Sequence, residues 1–141
     1  MLYVAEPPAA WADRPPAVVD CSVLAALLWG EDSADEAAGQ LSERALHAPG
    51  LLPYELANVA RNKCRSGVPV DVAMAGLEAL QEQRIALHDI DPVVTAQLAE
   101  RCGLSAHDAA YLALAQALNA PLLTFDRRLA QAAALYLPPS A

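Results

Sequence analysis

The sequence predicts a single α/β domain in which a short parallel sheet is covered by helices on both faces. Three observations lead to this fold class. The chain has 141 residues, which is enough for one continuous core and little more. Short apolar runs alternate with segments of helical spacing, as the crossover connections of a parallel sheet require. No internal repeat and no low-complexity linker divides the sequence.

The elements follow one another in strand–helix order after a proline-rich start. Residues 1–16 contain four prolines and have no clear period, so we expect an irregular N-terminal extension there and one domain over residues 17–141. The predicted strands are the apolar runs 17–19, 46–48, 85–87 and 121–125, with 135–137 as a last edge strand. The predicted helices are 22–29, 32–45, 53–65, 71–84, 91–103, 105–119 and 126–134.

Turn and capping residues define the ends of these helices. Gly30 closes the first helix, and Pro53 opens the third at a favourable first-turn position. Gly67 and Pro69 then interrupt the chain, after which Asp71 is expected to cap the next helix. The helical segments are thus separated by residues that favour turns.

The composition bears on the choice of ligand. The net charge of −8 argues against a nucleic-acid partner, because phosphate binding usually requires a basic face. The objection weakens if several carboxylates are gathered around bound cations, since a metal ion reverses the local charge. The positions of the acidic residues therefore decide the question.

The sequence also indicates a location. No apolar stretch approaches the roughly 20 residues that a membrane-spanning helix needs, and the first residues lack the features of a signal peptide. The three cysteines stand singly without metal-ligand spacing, and we interpret them as reduced core residues. We therefore expect a cytoplasmic protein that does not associate with membranes.

Four acidic residues from distant parts of the chain are expected to meet at one edge of the sheet. Asp20 and Asp126 each follow a predicted strand, and open parallel sheets bind ligands beyond the carboxyl ends of their strands. Glu55 and Asp108 lie in the first turns of helices that open toward the same edge. Each acid taken alone is explained better by helix capping or by the helix dipole, because capping acids far outnumber catalytic ones. Capping, however, does not require a common edge.

Clustered carboxylates repel one another, and hard divalent ions such as Mg²⁺ or Mn²⁺ relieve this repulsion because they prefer oxygen ligands. A bound ion can generate hydroxide and polarise a phosphodiester, and a second ion can stabilise the leaving oxygen. The residues therefore favour metal-assisted phosphodiester hydrolysis, with either one ion or two.

The motifs around these acids resemble a PIN domain, and in particular the ribonuclease toxins of the VapC type. The resemblance runs from about residue 16 to the C-terminus and rests on four ordered motifs: Val-Val-Asp-Cys-Ser at 18–22, Pro-Tyr-Glu-Leu-Ala-Asn at 53–58, Leu-Ser-Ala-His-Asp-Ala-Ala-Tyr at 104–111 and Leu-Leu-Thr-Phe-Asp at 122–126. It implies an α/β/α sandwich with about five parallel strands. It also implies a catalytic site that holds Mg²⁺ or Mn²⁺, formed by Asp20, Glu55, Asp108 and Asp126.

The resemblance extends to supporting residues and partners. Ser22 and Thr124 would support the site through their hydroxyls, and Asn58 would orient Glu55 or a water. The implied partners are an RNA substrate and an inhibitory antitoxin, for which the acidic pocket suggests a basic C-terminal segment; we also expect a homodimer. Four basic residues could contact RNA or the antitoxin, with a solvated face as the alternative explanation: Arg61, Lys63, Arg127 and Arg128.

Two other functions compete with that of a ribonuclease. A non-catalytic PIN-like module could use its acids to bind a basic segment of a partner, but such a module would be expected to lose one of the four acids. A phosphatase-like hydrolase usually has a second aspartate two residues after the first, and Ser22 stands there. His107 could act as a general base, although a lone surface histidine is more often inert.

Overall fold

Strands and helices alternate along the chain, which this computed structural model describes at residues 1, 3 and 14–137. The strands are β1 (Pro16–Val19), β2 (Ala45–Pro49), β3 (Ile85–His88) and β4 (Leu122–Leu123). The helices are α1 (Cys21–Leu28), α2 (Ala34–Leu41), α3 (Leu52–Arg65), α4 (Val70–Ala79), α5 (Pro92–Cys102), α6 (Ala106–Leu118) and α7 (Arg127–Tyr136). A short 3₁₀ turn, Leu80–Glu82, follows α4.

The strands form one sheet in the order β3-β2-β1-β4, and every neighbouring pair is parallel. Parallel neighbours require crossover connections, which the helices provide, and α6 packs against both β1 and β2. The three apolar residues of β1, Ala17, Val18 and Val19, are completely buried. The carboxyl end of β1 therefore opens at the middle of the sheet, between the ends of β2 and β4.

One tight helix contact depends on a glycine. Gly76 of α4 lies against the indole of Trp29, and a Cβ atom at this position would collide with the ring. The same indole donates a 3.2 Å hydrogen bond from Nε1 to the carbonyl oxygen of Ala73. Lys63 covers the ring, with its Nζ 5.4 Å from the centroid and 3.2 Å from Oε1 of Glu31. These contacts join the end of α1 to α3 and α4.

The structure corrects the predicted edge strand at 135–137. Within the described residues the sheet has four strands rather than five, and residues 135 and 136 form the last turn of α7. The helical spacing of Leu129, Ala132 and Tyr136 places these residues on one face, where they are buried or half-buried, while Leu135 is 81% exposed. Three apolar residues in a row are compatible with a strand or with a helix, and the packing of α7 favours the helix here.

Two predicted helix boundaries were also wrong. The helix expected at 71–84 begins at Val70 after Pro69, so Asp71 lies in the first turn instead of capping it, and the α-helix ends at Ala79. The helix expected at 32–45 spans only Ala34–Leu41. It ends early because Glu43 adopts a left-handed conformation with φ of 65°.

Other expectations concern the ends of the chain and its cysteines. Most of the expected extension at 1–16 lies outside the described residues, and its last residue, Pro16, begins β1. The three cysteines are free, and each is half-buried rather than deep in the core. Among the described residues, no helix combines the length and the apolar character needed to span a membrane.

Candidate active site

Asp20 lies at the carboxyl end of β1, where it is 6% exposed. Its Oδ1 accepts a 2.6 Å hydrogen bond from the Ser22 hydroxyl and a 3.3 Å bond from the backbone N–H of Val23, which caps α1. Its Oδ2 accepts a 2.6 Å hydrogen bond from the Thr124 hydroxyl. Both carboxylate oxygens are thus held in place, and Asp20 combines the capping role with a position at the predicted site.

The two hydroxyls also connect Asp20 to the chain after β4. The backbone N–H of Phe125 donates to Ser22 Oγ at 2.9 Å, and that of Asp126 donates to Thr124 Oγ1 at 2.9 Å. Asp126 in turn caps α7, because its Oδ1 accepts from the backbone N–H groups of Arg128 and Leu129. The ends of the neighbouring strands β1 and β4 are therefore joined by side chains that the sequence predicted to support the site.

Glu55 lies in the first turn of α3, where the free N–H groups of the helix favour an acidic residue. It is half-buried, and its Oε1 accepts a 2.6 Å hydrogen bond from the hydroxyl of Tyr111. Tyr111 is 1% exposed and belongs to α6, three residues after Asp108. We did not single out Tyr111 from the sequence. The available signal was its spacing from Asp108, which places both on one side of the helix.

Burial raises the pKa of the Asp20 carboxyl, and the hydrogen bonds from Ser22 and Thr124 counteract part of that rise. Burial also raises the pKa of Glu55; the hydrogen bond from Tyr111 lowers it, whereas the negative charges of Asp108 and Asp20 raise it further. The negative charges of Asp20 and Asp108 therefore both act on Glu55. Repulsion of this kind is the condition that a bound cation relieves.

The carboxylate of Asp108 is available for cation binding, because it is not used to cap its helix. Ser105 is the residue that caps α6, since its Oγ accepts a 3.1 Å hydrogen bond from the backbone N–H of Asp108. Across the described ranges, the Asp108 side chain makes no reciprocal bond to the cap, so the capping box is only half formed. The charge of Asp108 instead acts on Glu55.

Cys21 follows Asp20 directly and could be considered as a nucleophile. Burial raises the pKa of its thiol to about 12, with smaller contributions from the negative charges of Glu55, Asp20 and Glu31. The thiol stays protonated at neutral pH and is a poor nucleophile. The chemistry of this region therefore rests on its carboxylates.

The donor set limits how a cation could be held. In the part of the chain that the structure describes, no three His, Cys, Asp or Glu side chains are grouped closely enough to bind one ion together. Mg²⁺ commonly keeps several waters and uses only one or two protein carboxylates, with substrate phosphate completing its shell. The buried carboxylate of Asp20 and the half-buried carboxylate of Glu55 fit this mode of binding, and Asp108 adds negative charge that acts on Glu55.

The remaining predicted residues lie around this centre. Asn58, which was expected to orient Glu55 or a water, is exposed. The hydrogen bond that orients Glu55 comes from Tyr111. Lys63 is engaged by Glu31 and Trp29, and Arg128 donates a 2.6 Å hydrogen bond from Nη2 to the carbonyl oxygen of Gly103. Arg61 and Arg127 are exposed.

Comparison with known proteins identifies the family. The model of the PIN domain family matches residues 17–135, which is most of the chain.

The chain belongs to the PIN domain family.

Several relatives of this PIN domain carry the VapC name. The chain is 37% identical over 120 residues to a protein named Ribonuclease VapC3 from Pyrobaculum aerophilum, which covers 81% of this chain and 92% of the relative. It is 38% identical over 120 residues to the VapC ribonuclease Mb0985 of Mycobacterium bovis, covering 79% of this chain and 87% of the relative. The resemblance to a VapC-type PIN domain is thereby confirmed.

A solved structure agrees on the fold. The crystal structure of PAE2754 from Pyrobaculum aerophilum superimposes with a TM-score of 0.68 at 26% sequence identity, covering 84% of this chain and 80% of that one. The parallel sheet flanked by helices that the sequence predicted is therefore confirmed, with the strand count corrected to four within the described residues.

Proposed function

We propose that this PIN domain is an endoribonuclease that depends on Mg²⁺ or Mn²⁺ and acts as the toxin of a toxin–antitoxin pair. The observation that carries the proposal is Asp20, a buried carboxylate with both oxygens fixed, whose negative charge raises the pKa of Glu55. Perturbed carboxylates of this kind are typical of functional sites. Relatives named ribonucleases that match most of the chain support the choice of RNA as substrate.

Asp20 and Glu55 are the proposed ligands of the ion, and Asp108 and Asp126 would be the further acids that hold it. When bound, the ion supplies an activated water and polarises the phosphodiester. The protein's own residues keep the ligands ready: Ser22 and Thr124 fix the orientation of Asp20, and the Tyr111 hydroxyl does the same for Glu55. These hydrogen bonds also favour the ionised carboxylates that cation binding requires.

A cleavage assay tests the proposal. The purified protein should cut RNA in Mg²⁺ or Mn²⁺, and excess chelator should abolish the cleavage. Asp20→Asn should be inactive, while Asp35→Asn, a change to an exposed acid in the first turn of α2, should retain full activity. Cleavage at an undiminished rate in chelator, or by the Asp20→Asn variant, would remove the basis for a metal-dependent site.

The second part of the proposal concerns the partner. An antitoxin with a basic C-terminal segment would place an arginine or lysine at the carboxylates, because a guanidinium pairs with carboxylate oxygens without activating water. The net charge of −8 would attract such a segment. This attraction should weaken as the salt concentration rises. Recovery of a bound partner from native cells, followed by a cleavage assay with that partner added, tests this part.

We also propose that the protein is a cytoplasmic homodimer, with its domain over residues 17–141. Exposed apolar side chains around β3 and the start of α5 support self-association: Leu87, Ile90, Val93 and Val94 are 40–64% exposed. The free cysteines are consistent with a reducing compartment. Sedimentation of the protein and of Val93→Asp measures whether this face joins two copies.

A further inference from the structure

A small cavity lies beside the candidate active site and shares Glu55 with it. Its volume is about 290 Å³, and it lies at the start of α3, next to the residue that precedes Asp108. That volume is at the lower limit of the roughly 300–1,000 Å³ found for small-molecule sites. The main lining residues are Leu51, Tyr54, Glu55, Asn58, Val59 and His107.

We propose that this cavity binds one nucleobase of the RNA, next to the phosphate that is cleaved. The inference rests on the proposed ribonuclease function and assigns its substrate contacts. Because Glu55 belongs both to the cavity wall and to the proposed metal site, a base in the cavity places its own phosphate near that site. A cavity of this size suits a single flat ring system rather than an extended ligand.

The lining residues provide the two contacts by which proteins bind unpaired bases. Tyr54 is 79% exposed at the cavity, and aromatic rings stack on any base because every base has a π-face. The amide of Asn58 is exposed and offers a donor and an acceptor, the combination that reads the edge of adenine most directly. Leu51 and Val59 add an apolar surface to the same cavity.

The helix that carries Tyr54 continues the site away from the cavity. Tyr54, Asn58, Arg61 and Arg65 are spaced by four, three and four residues, so they lie along one side of α3, and all four are exposed. Two guanidinium groups thus follow the base cavity in a protein whose net charge is −8. They can contact the phosphates of the next nucleotides.

This arrangement favours RNA over the basic segment of an antitoxin as the ligand of the cavity. Arg61 and Arg65 would repel a basic peptide that followed α3, whereas they attract a phosphate backbone. Lys63 lies on a different side of the helix and is already engaged by Glu31.

Binding can be measured without cleavage, so that the two proposals fail separately. Fluorescence anisotropy of a short labelled single-stranded RNA, in chelator, compares the wild type with Tyr54→Ala, Tyr54→Phe, Arg65→Ala and the control Arg101→Ala, an exposed arginine on α5. We expect Tyr54→Ala to weaken binding roughly 10-fold, and Tyr54→Phe to bind as the wild type does because it keeps the ring. Arg65→Ala should weaken binding and reduce its salt dependence, while Arg101→Ala should change neither.

Binding by Tyr54→Ala that equals the wild type overturns the base site. It is also overturned if the substitution weakens capture of a basic peptide while leaving RNA binding intact. If the wild type binds RNA through Tyr54 but cleaves none, the base site stands and the nuclease proposal fails.

Cleavage of RNA with a randomised sequence tests whether Asn58 makes the cavity selective for one base. We expect the wild type to prefer one base, adenine, at a position adjacent to the cut. Asn58→Ala should reduce this preference while cleavage continues, whereas Tyr54→Ala should lower kcat/KM for every base. An Asn58→Ala variant with the sequence profile of the wild type overturns the role of Asn58.

Discussion

The hydroxyl of Tyr111 donates a 2.6 Å hydrogen bond to Oε1 of Glu55 and thereby joins α6 to α3. Burial and the neighbouring Glu55 raise the pKa of the phenol, so Tyr111 stays protonated and remains a donor. Because α6 also carries Asp108, this bond couples the positions of two of the predicted catalytic acids. Tyr111 is therefore a positioning residue of the site as well as a core side chain.

Tyr111→Phe should shift the pH dependence of cleavage. Loss of the hydrogen bond removes the larger of the two influences that lower the pKa of Glu55, the other being the charge of His107, so this pKa should rise further. Glu55 then becomes ionised only at higher pH, and the acid limb of the kcat/KM profile should move upward in pH. The control is Tyr136→Phe, which alters a half-buried tyrosine of α7. Superimposable profiles for the wild type and Tyr111→Phe would show that the bond has no catalytic consequence.

Metal binding should be visible as a change in stability. The raised pKa values of Asp20 and Glu55 stabilise the metal-free fold at pH below their unfolded values, and this contribution is lost as pH rises through the raised folded values. At neutral pH, Mg²⁺ should therefore raise the Tm of the wild type. Asp20→Asn in chelator should be at least as stable as the wild type and should show little response to Mg²⁺. An equal Mg²⁺ response in both proteins, measured by thermal unfolding, would exclude Asp20 as a ligand.

Ser22→Ala and Thr124→Val should each lower kcat by roughly 10- to 100-fold, the usual cost of removing a partner that orients a metal ligand. Each loses one 2.6 Å hydrogen bond to Asp20 without losing a charge, so activity should remain above that of Asp20→Asn. Ser42→Ala, which removes an exposed hydroxyl, is the matched control. Full activity in both site variants would mean that the orientation of Asp20 is fixed without them.

Gly76→Ala should destabilise the fold by about 1–3 kcal/mol, because the new methyl group meets the indole of Trp29. Gly39→Ala is the matched control: it also lies in a helix, has no atom near the added methyl, and should stabilise by about 0.5–1 kcal/mol. Denaturant unfolding measures both. Combining Gly76→Ala with Trp29→Phe should cost less than the sum of the two changes, and simple additivity would contradict the proposed collision.

Thr95→Val should stabilise the protein by about 1 kcal/mol. Thr95 is 2% exposed, and within the described ranges its hydroxyl has no hydrogen-bond partner. The change therefore removes an unsatisfied polar group without breaking a bond. Thr124→Val makes the same chemical change where the hydroxyl donates to Asp20 and accepts from Asp126, so it should not stabilise in this way. A lower midpoint of unfolding for Thr95→Val would show that its hydroxyl has a partner in solution.

Local patterns predicted most of the architecture but not the contacts between distant elements. The starts of the helices predicted at 91 and 105 are correct to within one residue, because Asp91 and Ser105 cap them through local hydrogen bonds. The contact of Trp29 with Gly76 depends on how helices pack, which no spacing in the sequence reveals. The strand predicted at 121–125 comprises only Leu122–Leu123, because the backbone N–H of Phe125 is bound by Ser22 instead of a neighbouring strand.

The hydroxyl that holds Oδ2 of Asp20 comes from a residue 104 positions later in the chain. Translation proceeds from the N-terminus, so a growing polypeptide carries Asp20 and Glu55 well before it carries Thr124. Until β4 has left the ribosome, Asp20 lacks one of its two hydroxyl partners and β1 lacks its neighbour on that side. Under the proposed function, a product of premature termination before β4 would lack Asp126 as well as Thr124, and we expect it to be inactive.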